Sequence, residues 1–193
     1  MTKNKFKIIF DAGHGGKDPG AVVGDLKESV ITLRTVQEMS LIVRERVLPW
    51  EVILLREADT YISPEGRKRL CMQIMPAAFV SIHCNAATSA KANGFEVVYR
   101  EQDDYNLGIM IQDSVLEQVP FKKRGLKHDE KDLGRKLAVL STPDVASVIV
   151  EMGFLTSPID QPMIQDKTRM ASAIVTGIER WAESFKISQE LVG

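Results

Sequence analysis

Short apolar runs that read as strands alternate with stretches of helical spacing along the whole chain, and this alternation restricts the fold more than any other feature. Phe6 to Ala12 reads as a strand, followed by a glycine-rich loop from Gly13 to Gly24. Val30, Leu33, Val36, Ser40, Val43 and Val47 recur at helical intervals and predict a helix over about 27 to 48, stopped by Pro49. Glu51 to Leu55 reads as a second strand. Ser63 and Pro64 supply an N-cap and a first-turn proline for a helix reaching about Met75. Ala78 to His83 and Phe95 to Arg100 read as strands, Asp104 to Val119 as a helix, and Phe121 to Lys136 as a charged loop. Lys136 to Leu140 and Ala146 to Glu151 complete the strands. Ala171, Ile174, Ile178, Trp181 and Phe185 form the apolar stripe of a last helix. Six strands with helices between most of them, and no repeat or linker, predict an α/β fold: a single domain over residues 1–186, with a mostly parallel six-stranded sheet flanked by helices. The tail, residues 187–193, is expected to fray.

Charge and cysteine content exclude several functions. The net charge is −1, without the basic excess of a dedicated nucleic-acid binder. Cys71 and Cys84 are too few for a disulfide framework or a four-thiolate metal site. No segment reaches the roughly 18 apolar residues of a membrane span. The basic start is followed only by Ile8, Ile9 and Phe10 before Asp11, too short a run for an export signal. The expectation is therefore synthesis in the cytoplasm without a signal peptide, and retention there unless something else releases the chain.

Two of the three histidines sit where chemistry is expected. His14 lies where the first strand runs out into the glycine-rich loop, and His83 ends the strand from Phe79. Ligands of open α/β sheets bind at the carboxyl ends of strands, so both can face one crevice. The loop is no phosphate cradle. Asp18 stands where a P-loop needs its hydroxyl and where a dinucleotide fingerprint needs its third glycine. Glu28 opens the first long helix, where a carboxylate is favoured by the helix dipole alone. Together with His14 and His83 it completes two imidazoles and a carboxylate, the ligand set of catalytic zinc. Glu151 closes the apolar run Val148-Ile149-Val150 and needs a partner for its charge, either a basic side chain or a metal-bound water.

Four segments in this order resemble a known family: Ile8-Ile9-Phe10-Asp11-Ala12-Gly13-His14-Gly15-Gly16-Lys17-Asp18-Pro19-Gly20-Ala21, the helix-opening Glu28, Ser81-Ile82-His83-Cys84-Asn85, and Glu151-Met152-Gly153-Phe154-Leu155. The chain resembles the catalytic domain of zinc-dependent N-acetylmuramoyl-L-alanine amidases over about residues 6 to 185, with smaller echoes at Arg56-Glu57-Ala58-Asp59, Arg67 and Gly94-Phe95-Glu96. The resemblance implies one Zn²⁺ per chain on His14, Glu28 and His83, and Glu151 as the catalytic glutamate. It implies cleavage of the amide between N-acetylmuramic acid and L-alanine, with peptidoglycan as substrate. Ala12 departs from the proline often found there and should alter loop stiffness only. Cys84 should face away from its neighbour His83, because adjacent strand residues point to opposite faces. Asn85 could orient a ligand or a substrate amide. His128 matches no ligand and reads as exposed or substrate-facing.

The implied setting is a cell wall or periplasm reached after release, either as a phage lysin with a membrane-permeabilising partner or as a bacterial wall hydrolase. Three alternatives stand beside this reading. A zinc carboxypeptidase-like hydrolase could use Arg67 to receive a terminal carboxylate. A wall-binding module could keep the metal without turnover. A thiol hydrolase would need Cys84 beside a histidine.

Overall fold

The structure, a computed structural model, describes residues 6–89 and 91–192, with residues 185–192 as backbone only. In chain order the elements are β1 (Phe6–Ala12), the short pair β2 (Val22–Val23) and β3 (Leu26–Lys27), α1 (Glu28–Glu45), β4 (Trp50–Leu54), α2 (Pro64–Ile74), β5 (Ala78–Asn85), β6 (Phe95–Tyr99), α3 (Gln102–Gln118), β7 (Lys123–His128), β8 (Ala146–Phe154), α4 (Gln161–Gln165) and α5 (Lys167–Val192). A 3₁₀ turn, Ala138–Leu140, lies between β7 and β8. The start of α2 follows from its sequence: Ser63 Oγ accepts from Gly66 N at 3.1 Å and Pro64 takes the first turn. No helix among the described residues is long and apolar enough to cross a membrane.

Six strands form one sheet in the order β4-β1-β5-β8-β6-β7. The β4, β1, β5 and β8 strands are parallel, β6 runs antiparallel to β8, and β7 is parallel to β6. The predicted class and strand number hold, but one strand is exchanged. Lys136 to Leu140 is not a strand: Val139 and Leu140 pack down on Ile9, Phe79 and Ile149 as part of the 3₁₀ turn. The sixth strand is instead β7, inside the predicted charged loop. An edge strand can be rich in lysine, because one side of its ladder faces solvent. The last helix takes in residues 187–192, where the sequence predicts a frayed tail; Gly193 and the Phe185 side chain lie outside the described residues.

Period-2 alternation divides the sheet into two faces. Ile8, Phe10, Val80, Ile82, Val148 and Val150 point into the larger core, which α5 closes together with α1 and α3. Ile9, Phe79, Val98 and Ile149 point the other way, under Cys71 of α2 and the 3₁₀ turn. This second cover is short. Beyond it, towards the carboxyl ends of β1, β5 and β8, the same face carries polar side chains: Asp11, Ser81, His83 and Glu151.

Candidate metal centre

The loop after β1 is held by two buried arginines. Arg56 Nε donates to the Ala12 carbonyl at 3.0 Å and its Nη2 to the Gly13 carbonyl at 2.9 Å. Arg67 donates from Nη1 to Ala12 O and from Nη2 to His14 O, both at 2.7 Å, and pairs with buried Asp11. Three consecutive carbonyls thus have fixed partners while His14 takes the left-handed conformation, φ +59°. Two glycines make room for the imidazoles of the site. A Cβ on Gly13 would collide with the His83 imidazole, and one on Gly20 would stand 2.6 Å from Glu28 Oε2 and 2.7 Å from His14 Cδ2.

The loop, the start of α1 and strand β5 converge as the sequence predicts. His14 Nε2 and His83 Nδ1 each lie 3.1 Å from Glu28 Oε1. One ligand atom from each of the three residues falls within 4.8 Å of the others. On a tetrahedral zinc with bonds of about 2.0–2.1 Å, neighbouring ligand atoms stand about 3.3 Å apart; the two histidine–carboxylate separations come close to that spacing, so small side-chain shifts bring the set onto a cation of that size. The carboxylate is fixed from behind: Oε1 accepts from Cys84 N and Oε2 from Ala21 N, both at 2.9 Å. On its other side His14 Nδ1 donates to Asp18 Oδ2 at 2.8 Å, which orients the ring and leaves Nε2 for a ligand.

Electrostatics agree with a cation at this point. Burial lowers the His14 pKa, but hydrogen bonds and charge from Glu28 and Asp18 outweigh it and push the value up to about 9. Burial likewise opposes the Glu28 charge, yet the two imidazoles hold its carboxyl well below the usual range. The cluster already favours positive charge between its carboxylate and imidazole nitrogens.

Glu151 stands on β8 directly beside His83 of β5 in the sheet register. Its Oε2 is buried and has no hydrogen-bond partner. Burial pushes its pKa up to about 7. A carboxyl with a folded pKa above its ordinary 4.5 contributes stability that is complete below about pH 4.5 and lost as pH rises through about 7. Metal-free Glu151→Gln should therefore gain on the metal-free wild type by at most about 3 kcal/mol between those limits. Paired denaturant melts at both ends of that range measure the difference; parallel curves would remove the raised pKa.

Other predicted residues lie differently. Asn85 is at the site but not free: its Nδ2 donates to Glu96 Oε1 at 2.8 Å. Cys84 is buried on the opposite face, where burial pushes its thiol well up. Arg67 is buried and committed to Asp11 and backbone carbonyls, including Ile62 O, so it offers nothing to a substrate carboxylate. His128 is neither exposed nor near the crevice. Its side chain is 12% exposed and packs on Tyr99, and the antiparallel β6 carries that pair to the far end of the sheet. The sequence assigns no site role to Asp18, Arg56 or Glu96, the last two entering only as echoes of the family. Asp18, four residues after His14, was the one with a usable spacing.

The family model of N-acetylmuramoyl-L-alanine amidases matches residues 8–180. The "Probable cell wall amidase LytH" of Staphylococcus saprophyticus is 29% identical over 180 residues, covering 90% of this chain and 57% of that protein. The chain spans less than two thirds of the length of such relatives, 57% and 62% in the first two. The solved structure of the N-acetylmuramoyl-L-alanine amidase AmiC2 of Nostoc punctiforme superposes with a TM-score of 0.84 at 28% identity, over 93% of this chain and 98% of that one. That of an N-acetylmuramoyl-L-alanine amidase from Clostridium difficile 630 gives 0.85 at 26% identity, over 94% and 99%.

Proposed function

This chain belongs to the N-acetylmuramoyl-L-alanine amidase family, and from that premise we propose that it hydrolyses the amide between N-acetylmuramic acid and L-alanine in peptidoglycan, with one Zn²⁺ on His14, Glu28 and His83 and with Glu151 moving the proton. The observation that carries the proposal is the unpartnered, buried Glu151 Oε2, one strand from His83. A buried carboxylate oxygen without a donor is rare in native proteins and calls for a partner brought by ligand or solvent.

A bound zinc would supply Lewis acidity to the amide carbonyl and to the attacking water. The chain's own residues do the rest. His14, steadied by Asp18, and His83 stay neutral as ligands, and Glu28 balances part of the cation's charge. Glu151 accepts a proton from the attacking water and returns it to the departing amine; burial, which raises its pKa in the metal-free chain, favours that exchange. The short apolar cover beside the site, Ile62, Pro64, Leu137, Ala138, Val139 and Ile149, lines a cavity of about 160 Å³ with His14 and His83 and limits water on that side.

The alternatives lose their carriers. Arg67 is engaged, against a carboxypeptidase; Cys84 faces the other core, against a thiol enzyme; and a module that only binds wall has no use for the orphaned Glu151 oxygen. We place the action on the cell wall. The test is digestion of purified peptidoglycan by zinc-loaded protein, followed by mass spectrometry. New L-alanine amino termini with intact disaccharides are expected. Free D-amino acids without new amino termini, or no release at all, would overturn the proposal.

A further inference from the structure

We infer that Arg124 is a specificity residue of the substrate groove, receiving a carboxylate of the leaving peptide; the inference rests on the amidase reading above. The β6–β7 register steps from Phe95 opposite Lys123 to Glu96 opposite Gly125, which leaves Arg124 as the extra residue of a bulge. Gly125 absorbs the turn with φ +87°. Bulges beside active sites re-aim side chains, and this one turns Arg124 onto the face that carries Glu96 and Glu151. Its Nε donates to Glu96 Oε2 at 2.6 Å, and its guanidinium carbon lies 4.8 Å from the centre of the Phe154 ring. Glu96 is held in turn by Asn85 and stands opposite Glu151 in the sheet. Gly94 closes on the arginine stem, where a Cβ would sit 3.0 Å from Arg124 Cγ.

The guanidinium is thus fixed in plane and in direction, while Nη1 and Nη2 make no hydrogen bond among the described residues. The side chain is 33% exposed. Neutralising Glu96 needs only Nε. The remaining pair of nitrogens presents two parallel N–H groups, the fork that takes a carboxylate bidentately. His83, Glu151, Glu96 and Arg124 lie across four neighbouring strands. At about 4.8 Å per strand, Arg124 stands roughly 10 Å from the Glu151 position. An extended peptide advances about 3.3 Å per residue, so an amide cut beside Glu151 brings the second or third residue of the leaving peptide to Arg124. Glu151 and Glu96 repel an acidic group elsewhere on this row, which favours one register for the peptide.

The experiment uses zinc-loaded protein and two synthetic N-acetylmuramoyl peptides, in which L-alanine is followed by D-glutamate with a free α-carboxylate or by its α-amide. The wild type should prefer the free acid by roughly 10–100-fold in kcat/KM, mostly through KM. Arg124→Gln should erase that preference by costing the acid far more than the amide, and Arg124→Lys should restore part of it, with zinc content unchanged in both. Calorimetry with the two cleaved peptides reads the same preference without turnover. Equal handling of acid and amide by the wild type in both assays, or an equal loss on both in Arg124→Gln, would overturn the inference and leave Arg124 as the partner of Glu96 only. Failure to cleave either substrate, with the acid still bound more tightly through Arg124, would overturn the amidase reading but keep the carboxylate site.

Discussion

His83→Ala is expected to abolish stable zinc binding and bring turnover down to background. A site of three protein ligands that keeps a position for water has no ligand to spare. His83 is also the cleanest ligand to remove. Glu28→Ala would strip the acceptor from the backbone amides of Ala21 and Cys84, and His14 sits in a left-handed loop whose conformation its substitution could disturb. His83 lies on β5 just before the register shift with β8, its backbone extended, with Ile82 and Cys84 packed in the core on either side of it. The effect can be read without substrate. A ligand at about 100 times its Kd stabilises a protein by about 2.7 kcal/mol, which for a chain of this size is a rise in Tm of roughly 5–10 °C. Zinc should produce that shift in the metal-free wild type, a chelator should reverse it, and His83→Ala should show neither. A wild type that melts identically with zinc and with chelator would refute the metal site.

What the sequence reveals of this centre depends on whether a residue's role is written in its type. His14, Glu28 and His83 are legible because few roles put imidazoles at two strand ends beside a helix-opening acid, and the structure brings all three onto one point. Arg56 and Arg67 are not, because what they hold in the loop is the backbone carbonyls of residues 12–14, which leave no signature in side-chain identity, with Asp11 as an added partner of Arg67. The sheet shows the same division. β1 is readable because a central parallel strand is buried on both faces, and Ile8, Ile9 and Phe10 are all fully buried. β7 is unreadable for the opposite reason: as an edge strand it turns chiefly Leu126 to the core. The apolar Leu137 to Leu140 misleads because a short run can cap a sheet face as well as join its ladder. Asn85 reads from the sequence as a residue that could orient a ligand or a substrate amide, but its Nδ2 donates to Glu96 on the next strand of the chain, a pairing that residue type alone does not reveal.

Glu151→Gln is expected to keep zinc and lose turnover by about 10³–10⁴-fold. The substitution preserves size and removes the proton acceptor, and general acid–base help is worth about 10²–10⁴-fold. The upper part of that range applies because an amide demands the proton twice, once from water and once for a poor leaving amine. Retention of zinc follows from the geometry, since the cluster able to hold an ion consists of His14, Glu28 and His83 without Glu151. The defect should fall on kcat more than on KM, because the group acts on atoms that change protonation only during the reaction. Elemental analysis and kinetics on muramoyl peptides check both halves. Loss of zinc with activity would make Glu151 a ligand. Near-normal turnover would make it structural, and its buried, unpartnered oxygen would then need another explanation. The arrangement argues against that second outcome. A structural carboxylate would be paired, as Glu96 is by Asn85 and Arg124, whereas Glu151, between Glu96 and His83 on the same row, is left able to exchange a proton.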